Sequence, residues 1–119
     1  MRILLAEDDA KTAECVVMAL ESLGHKVVVA SNVSDALVCL DHDSFDVAML
    51  DIELGNELSF QIAEQLTVRG LPYFFASGRD PADMPMVYAA APYLRKPYLL
   101  EQLVTILRTQ CGSIGTTKF

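Results

Sequence analysis

The sequence predicts an α/β fold, a five-stranded doubly wound parallel sheet with helices on both faces. Short apolar runs of strand length alternate five times with amphipathic runs of helix length. The apolar runs are continuous rather than alternating, which suits strands covered on both faces. The alternation of the two kinds of run is the order expected of βα units rather than of a sandwich or a bundle, and two of the helical runs end at glycines, Gly24 and Gly70.

Ile3-Leu4-Leu5-Ala6 forms the first strand. After it, Ala13, Val16, Val17, Leu20 and Leu23 recur at helical spacing, and Gly24 stands where a left-handed C-terminal cap falls. Val27-Val28-Val29 is the second strand. A second helix runs from near Ser34 to Leu40, with Asn32 or Ser34 as its cap. Val47-Ala48-Met49-Leu50 is the third strand, and the helix after it carries Phe60, Ile62, Ala63 and Leu66 before Gly70. Tyr73-Phe74-Phe75-Ala76 and Tyr93-Leu94 are the fourth and fifth strands. Between them Pro81, Pro85 and Pro92 leave room for at most a short helix over Met86–Ala91, because proline removes an amide donor and restricts the residue before it. The fourth helix is therefore expected to be shortened or irregular. The last helix extends from Leu99 to about Thr109, with Leu99, Leu103, Ile106 and Leu107 on one side. Residues 1–111 read as one domain, and 112–119, small and polar without periodicity, as a tail or the start of a severed linker.

A chain of 119 residues with 52% hydrophobic content can bury one core without disulfide or metal staples. Its formal charge of −7 argues against direct nucleic-acid binding or an anionic membrane surface, since both need clustered Lys and Arg. Cys15, Cys39 and Cys111 form an odd set without metal-like spacing and read as reduced, buried thiols. The apolar stretch after Arg2 is too short for a signal-peptide core, and no later run reaches bilayer length. A cytoplasmic protein is the expectation.

In such a sheet, ligands bind at the edge formed by the C-terminal ends of the strands. Strand one ends there at Glu7-Asp8-Asp9, strand three at Asp51, strand four at Ser77 and strand five at Lys96. Singly, each has an ordinary reading: a helix-capping acid, a turn residue, a strand-end hydroxyl, a solvated lysine. Together the carboxylates repel one another in a partly buried cleft unless a cation sits among them. Mg²⁺, which takes oxygen ligands and one or two carboxylates, suits Asp8 and Asp51 as direct ligands with Glu7 acting through water. A carboxylate is a competent nucleophile for acyl-phosphate formation, and Lys96 supplies positive charge for the phosphoryl oxygens. Ser77 can donate a hydrogen bond to one of them.

The set Glu7-Asp8, Asp51, Ser77 and Lys96-Pro97, in this order at successive strand ends, resembles the receiver domains of bacterial two-component response regulators. Ile-Leu-Leu-Ala-Glu-Asp-Asp at 3–9, Asp-Val-Ala-Met-Leu-Asp at 46–51 and Lys-Pro-Tyr at 96–98 carry the resemblance. It implies a flavodoxin-like strand order 2-1-3-4-5 and phosphorylation of Asp51 by a histidine kinase or histidine phosphotransfer protein. The implied metal set is Mg²⁺ on Asp8, Asp51 and the backbone carbonyl of Glu53, with Glu7 beside it. Further implications are a phosphoryl contact from Lys96, a cis Lys96–Pro97 peptide, a switch hydroxyl at Ser77 and an aromatic switch residue at Tyr93. As a signalling domain rather than a conventional enzyme, it would catalyse its own phosphorylation and dephosphorylation.

Pro-Tyr-Phe-Phe-Ala-Ser-Gly at 72–78 is similar to the Phe-Ala-Thr-Gly motif of stand-alone alphaproteobacterial receivers with an abbreviated fourth helix. Two other readings stand beside this one. An aspartate-nucleophile phosphatase also uses a strand-end acid, Mg²⁺ and a lysine, but usually places a second Asp where this chain has Glu53. A constitutive protein-binding domain that has lost the switch is the other. Glu53 and Arg79, two residues beyond the acceptor and the hydroxyl, flank the expected path of an attacking water, and their pairing would obstruct it.

Overall fold

Why the apolar runs are continuous is explained by their place in a computed structural model, which describes the backbone of residues 1–116 and the side chains of residues 1–110. Strands β1 (Arg2–Ala6), β2 (Lys26–Ala30), β3 (Val47–Leu50), β6 (Tyr73–Ser77) and β7 (Tyr93–Arg95) form a parallel sheet in the order β2-β1-β3-β6-β7. Counting sheet strands alone, this is the expected 2-1-3-4-5. Successive residues of β1 point to opposite faces: Leu4 and Ala6 enter the core under α2 (Val33–His42) and α3 (Phe60–Val68), and Ile3 and Leu5 the core under α1 (Ala10–Ser22) and α4 (Leu100–Thr116). Phe74 and Phe75, adjacent in β6, divide between the same two cores, and both are fully buried.

The helices stop and start where their caps dictate. Asp9 caps α1 by accepting from the Thr12 amide, and Asn32 caps α2 by accepting from Asp35 at 2.8 Å. Gly24 and Gly70 follow α1 and α3 with φ of 89° and 69°, a conformation that costs a side-chain-bearing residue about 1 kcal/mol.

Three features depart from expectation. Glu53–Leu54 (β4) and Glu57–Leu58 (β5) form a small antiparallel hairpin after β3, too short for sequence periodicity to register. Its turn is Gly55-Asn56, with Gly55 at φ 62°. Second, α4 continues past the expected end near Thr109 to Thr116, because no proline interrupts it and Gly112 and Gly115 weaken a helix by only about 1 kcal/mol each. Residues 117–119 of the expected tail lie outside the described residues. Third, Cys15 is exposed and Cys39 half-buried rather than fully buried, both as free thiols. Cys15 falls between Ala13 and Val16 in sequence but off the stripe they share with Leu20. The side chain of Cys111 lies outside the described residues.

The proline-rich fourth unit holds two 3₁₀ turns, Pro81–Asp83 and Met86–Tyr88, in place of a full helix. It is fastened by Tyr88, whose ring stacks on Phe60 at 4.9 Å and meets Phe75 edge-on at 5.8 Å. The Tyr88 hydroxyl donates to the Phe60 carbonyl at 3.1 Å. Met86 and Val87 beside it are 93% and 80% exposed. Among the described residues no helix is long and apolar enough to cross a membrane.

Candidate functional site

Main-chain hydrogen bonds extend the parallel ladder one residue past the strand ends, and this places the polar groups. The Glu7 amide donates to Ala30, that of Asp51 to Ala6, and that of Lys96 to Ser77, at 3.0, 2.9 and 2.8 Å. Glu7, Asp51, Ser77 and Lys96 thus sit at one rim, on backbone as fixed as the sheet itself.

Glu7 is buried, and its Oε1 accepts from Lys96 Nζ at 2.8 Å while Oε2 accepts from the Asp9 amide at 3.2 Å. Lys96 Nζ also lies 3.4 Å from Asp51 Oδ2. One ammonium is therefore shared by two carboxylates. Burial pushes the Asp51 carboxyl up to about 6; the Lys96 charge opposes this, and the nearby Glu7 adds to it. For Lys96, burial favours the neutral amine, but the Glu7 hydrogen bond and the charges of Asp51 and Glu7 outweigh it and hold the ammonium above its ordinary range. Asp8 Oδ2 accepts from the Gly55 amide at 2.8 Å, which ties the β4–β5 hairpin to the end of β1. Glu7, Asp8 and Asp51 can each bring one carboxylate oxygen within 4.8 Å of the others.

Asp9 keeps the ordinary role of a helix cap. It accepts from the amide and hydroxyl of Thr12, and those bonds hold its carboxyl below the usual carboxylate range.

Across the cleft, Ser77 is buried, and its Oγ accepts from the Arg79 amide at 3.2 Å. Arg79 Nε pairs with Glu53 Oε1 at 2.8 Å, and the Arg79 carbonyl accepts from the Tyr93 hydroxyl at 2.8 Å. The Lys96–Pro97 peptide is cis. Asp8, Asp51, Glu53, Gly55, Ser77, Gly78 and Arg79 line an open cleft of about 440 Å³. The structure thus brings together Glu7, Asp8, Asp51, Glu53, Ser77 and Lys96, with Tyr93 reaching this group through Arg79. Sequence reasoning passed over the Gly55 amide, for which the Gly-Asn turn dipeptide is the available signal.

The family model of the response regulator receiver domain matches residues 3–108. The chain belongs to this family. This receiver is 31% identical over 114 residues to the transcriptional regulatory protein HprR of Escherichia coli K12, covering 92% of this chain and 51% of that protein. It spans about half the length of the first curated relatives it matches. Among solved structures it is similar to SdrG from Sphingomonas melonis Fr1, at 30% identity and TM-score 0.79, covering 90% of this chain and 92% of that one. It also shares its fold with the receiver domain of the sensor histidine kinase PA1611 from Pseudomonas aeruginosa PAO1, at 21% identity and TM-score 0.82, covering 93% and 97%. The chain is a phospho-accepting receiver of two-component signalling.

Proposed function

We propose that Asp51 is the phospho-acceptor of this receiver and that Glu7, Asp8 and Asp51, with the backbone carbonyl of Glu53, hold Mg²⁺ beside it. The observation that carries this reading is the convergence of three carboxylates and a single shared lysine in one cleft. Three acids against one ammonium leave a net negative site built wholly of oxygen donors, which fits a hard divalent cation. The PA1611 receiver is described with a magnesium ion coordinated in its active-site cleft. When bound, Mg²⁺ supplies positive charge to the phosphoryl oxygens.

The chain's own residues do the rest. An Asp51 oxygen forms the new P–O bond while the donor's bond to phosphorus breaks and its electron pair leaves with the donor group. Burial raises the Asp51 carboxyl to about 6 in the metal-free protein, and a divalent cation held beside it would favour the ionised carboxylate that the attack needs. Lys96, already 3.4 Å from Asp51, stands where it can contact a phosphoryl oxygen. The Ser77 hydroxyl can donate to another, and Tyr93 is the residue placed to report its movement.

The donor is a histidine kinase or histidine phosphotransfer protein in the cytoplasm, and the domain catalyses both its own phosphorylation and its own dephosphorylation. Residues 72–78 and the 3₁₀ fourth unit support kinship with receivers of the Phe-Ala-Thr-Gly type. The Glu53–Arg79 pair lies on the rim of the Asp51 cleft, where it obstructs an attacking water. The phosphatase reading lacks support, because the position two residues after Asp51 holds Glu53 and not the second aspartate such enzymes usually place there.

Acetyl phosphate with Mg²⁺ should add one phosphoryl group by intact mass, and Asp51→Asn should add none. Uptake by the variant, or none by the wild type, overturns the assignment. Followed in time, the phosphorylated Arg79→Ala protein should decay several-fold faster, and an unchanged decay removes the shielding role.

A further inference from the structure

The hairpin of residues 53–58 crosses the cleft as a strap fastened at both sides. On the β1 side the Gly55 amide donates to Asp8; on the β6 side Glu53 pairs with Arg79. Its inner residue Leu54 and the preceding Ile52 are fully buried, and the Ser59 amide closes the base on the Ile52 carbonyl at 2.8 Å. The strap is therefore anchored at its base and held at both edges. Arg79 meets three different elements with three different groups: its guanidinium holds the strap, its amide donates to Ser77 Oγ, and its carbonyl accepts from the Tyr93 hydroxyl.

We propose that Arg79 is a positioning residue through which the strap sets the place of Tyr93, so that an event at Asp8 reaches the backbone segment on which the Ser77 switch already acts. Recruiting the Ser77 hydroxyl elsewhere takes the acceptor from the Arg79 amide. Recruiting the Asp8 carboxylate loosens Gly55 and, through the strap, Glu53. Either change reaches the carbonyl that fixes Tyr93. The Glu53 and Arg79 side chains are 58% and 46% exposed, so the pair is a clasp that opens readily rather than a rigid staple. The biological meaning of this coupling rests on the phospho-acceptor reading, but the coupling itself belongs to the unphosphorylated protein.

It is tested by NMR of ring-labelled tyrosine in metal-free protein, with Tyr93→Phe identifying the resonance. Glu53→Gln and Arg79→Gln should each shift the Tyr93 ring signal. Glu57→Gln on the same hairpin should not, and the exchanged pair Glu53→Arg with Arg79→Glu should return it toward the wild-type position. A Tyr93 signal unmoved in both single variants, or moved equally by Glu57→Gln, overturns the proposal. If Glu53→Gln does not fold, Arg79→Gln and the exchanged pair decide it. Titrating Mg²⁺ into wild type should shift the Gly55 amide and the Tyr93 ring with one midpoint, and Arg79→Gln should lose the Tyr93 shift. A Gly55 amide unmoved by Mg²⁺ counts against the metal reading, and the metal-free variants still decide the coupling.

Discussion

At the scale of single residues, the site is a compromise between chemistry and stability centred on Asp51. Its carboxyl sits near 6 in the fold against an ordinary 3.8, so between these values the folded protein binds more protons than the unfolded chain. Stability therefore falls as pH rises through this window, the sign opposite to that of a salt-bridged aspartate with a depressed pKa. Without divalent cations, Asp51→Asn should be more stable than wild type at pH 7 by on the order of 1–3 kcal/mol, and the gap should close toward pH 4. Urea denaturation in EDTA across this range measures it; a gap independent of pH would show that burial of the charge is not its source. The placing of Glu7, Asp8, Asp51, Ser77 and Lys96 at one rim was legible in the sequence because each ends a strand or lies within two residues of its end, and strand ends are read from apolar runs. Arg79's two main-chain bonds were not legible, since backbone amides and carbonyls leave no mark in a sequence.

Among the elements, the segments bordering the cleft depart most from regular structure. The strap ends at Ser59, fully buried at the start of α3, where its hydroxyl makes no side-chain cap and no other hydrogen bond. A buried polar group left unpaired costs about 1–3 kcal/mol, so Ser59→Ala should stabilise the protein by about 1 kcal/mol. The expected signature is a higher urea midpoint at unchanged m; a lower midpoint would mean that the hydroxyl has a partner. The five sheet strands and the cores of α1 to α3 were readable from periodicity, because each buries enough apolar residues to repeat a pattern. The two-residue strands β4 and β5 are shorter than any period. The 3₁₀ turns were foreseen as irregular from three prolines, but their fastening was not, because the stacking of Tyr88 on Phe60 joins residues 28 apart in sequence.

Across the whole molecule, the sheet serves as a rigid frame and the acid cluster as a site of local charge strain on its rim. A cation that binds the folded protein but not the unfolded chain raises stability by mass action, by about 2.7 kcal/mol at a hundred times its Kd. Mg²⁺ should therefore raise Tm in a concentration-dependent way, and Asp8→Asn should greatly reduce the effect; a Tm indifferent to Mg²⁺ would refute the metal site. The exposed turn beside Tyr88 has a different use. Met86 stands 93% exposed, whereas Met49 is sealed in the sheet at 2%. Mild peroxide converts accessible thioethers to sulfoxides and spares enclosed ones. The chain thus carries its own chemical tracer on the abbreviated fourth unit and, in Met18 of α1 at 65% exposure, a reference elsewhere on its surface, so the ratio of the two oxidised peptides reports whether anything shelters that face.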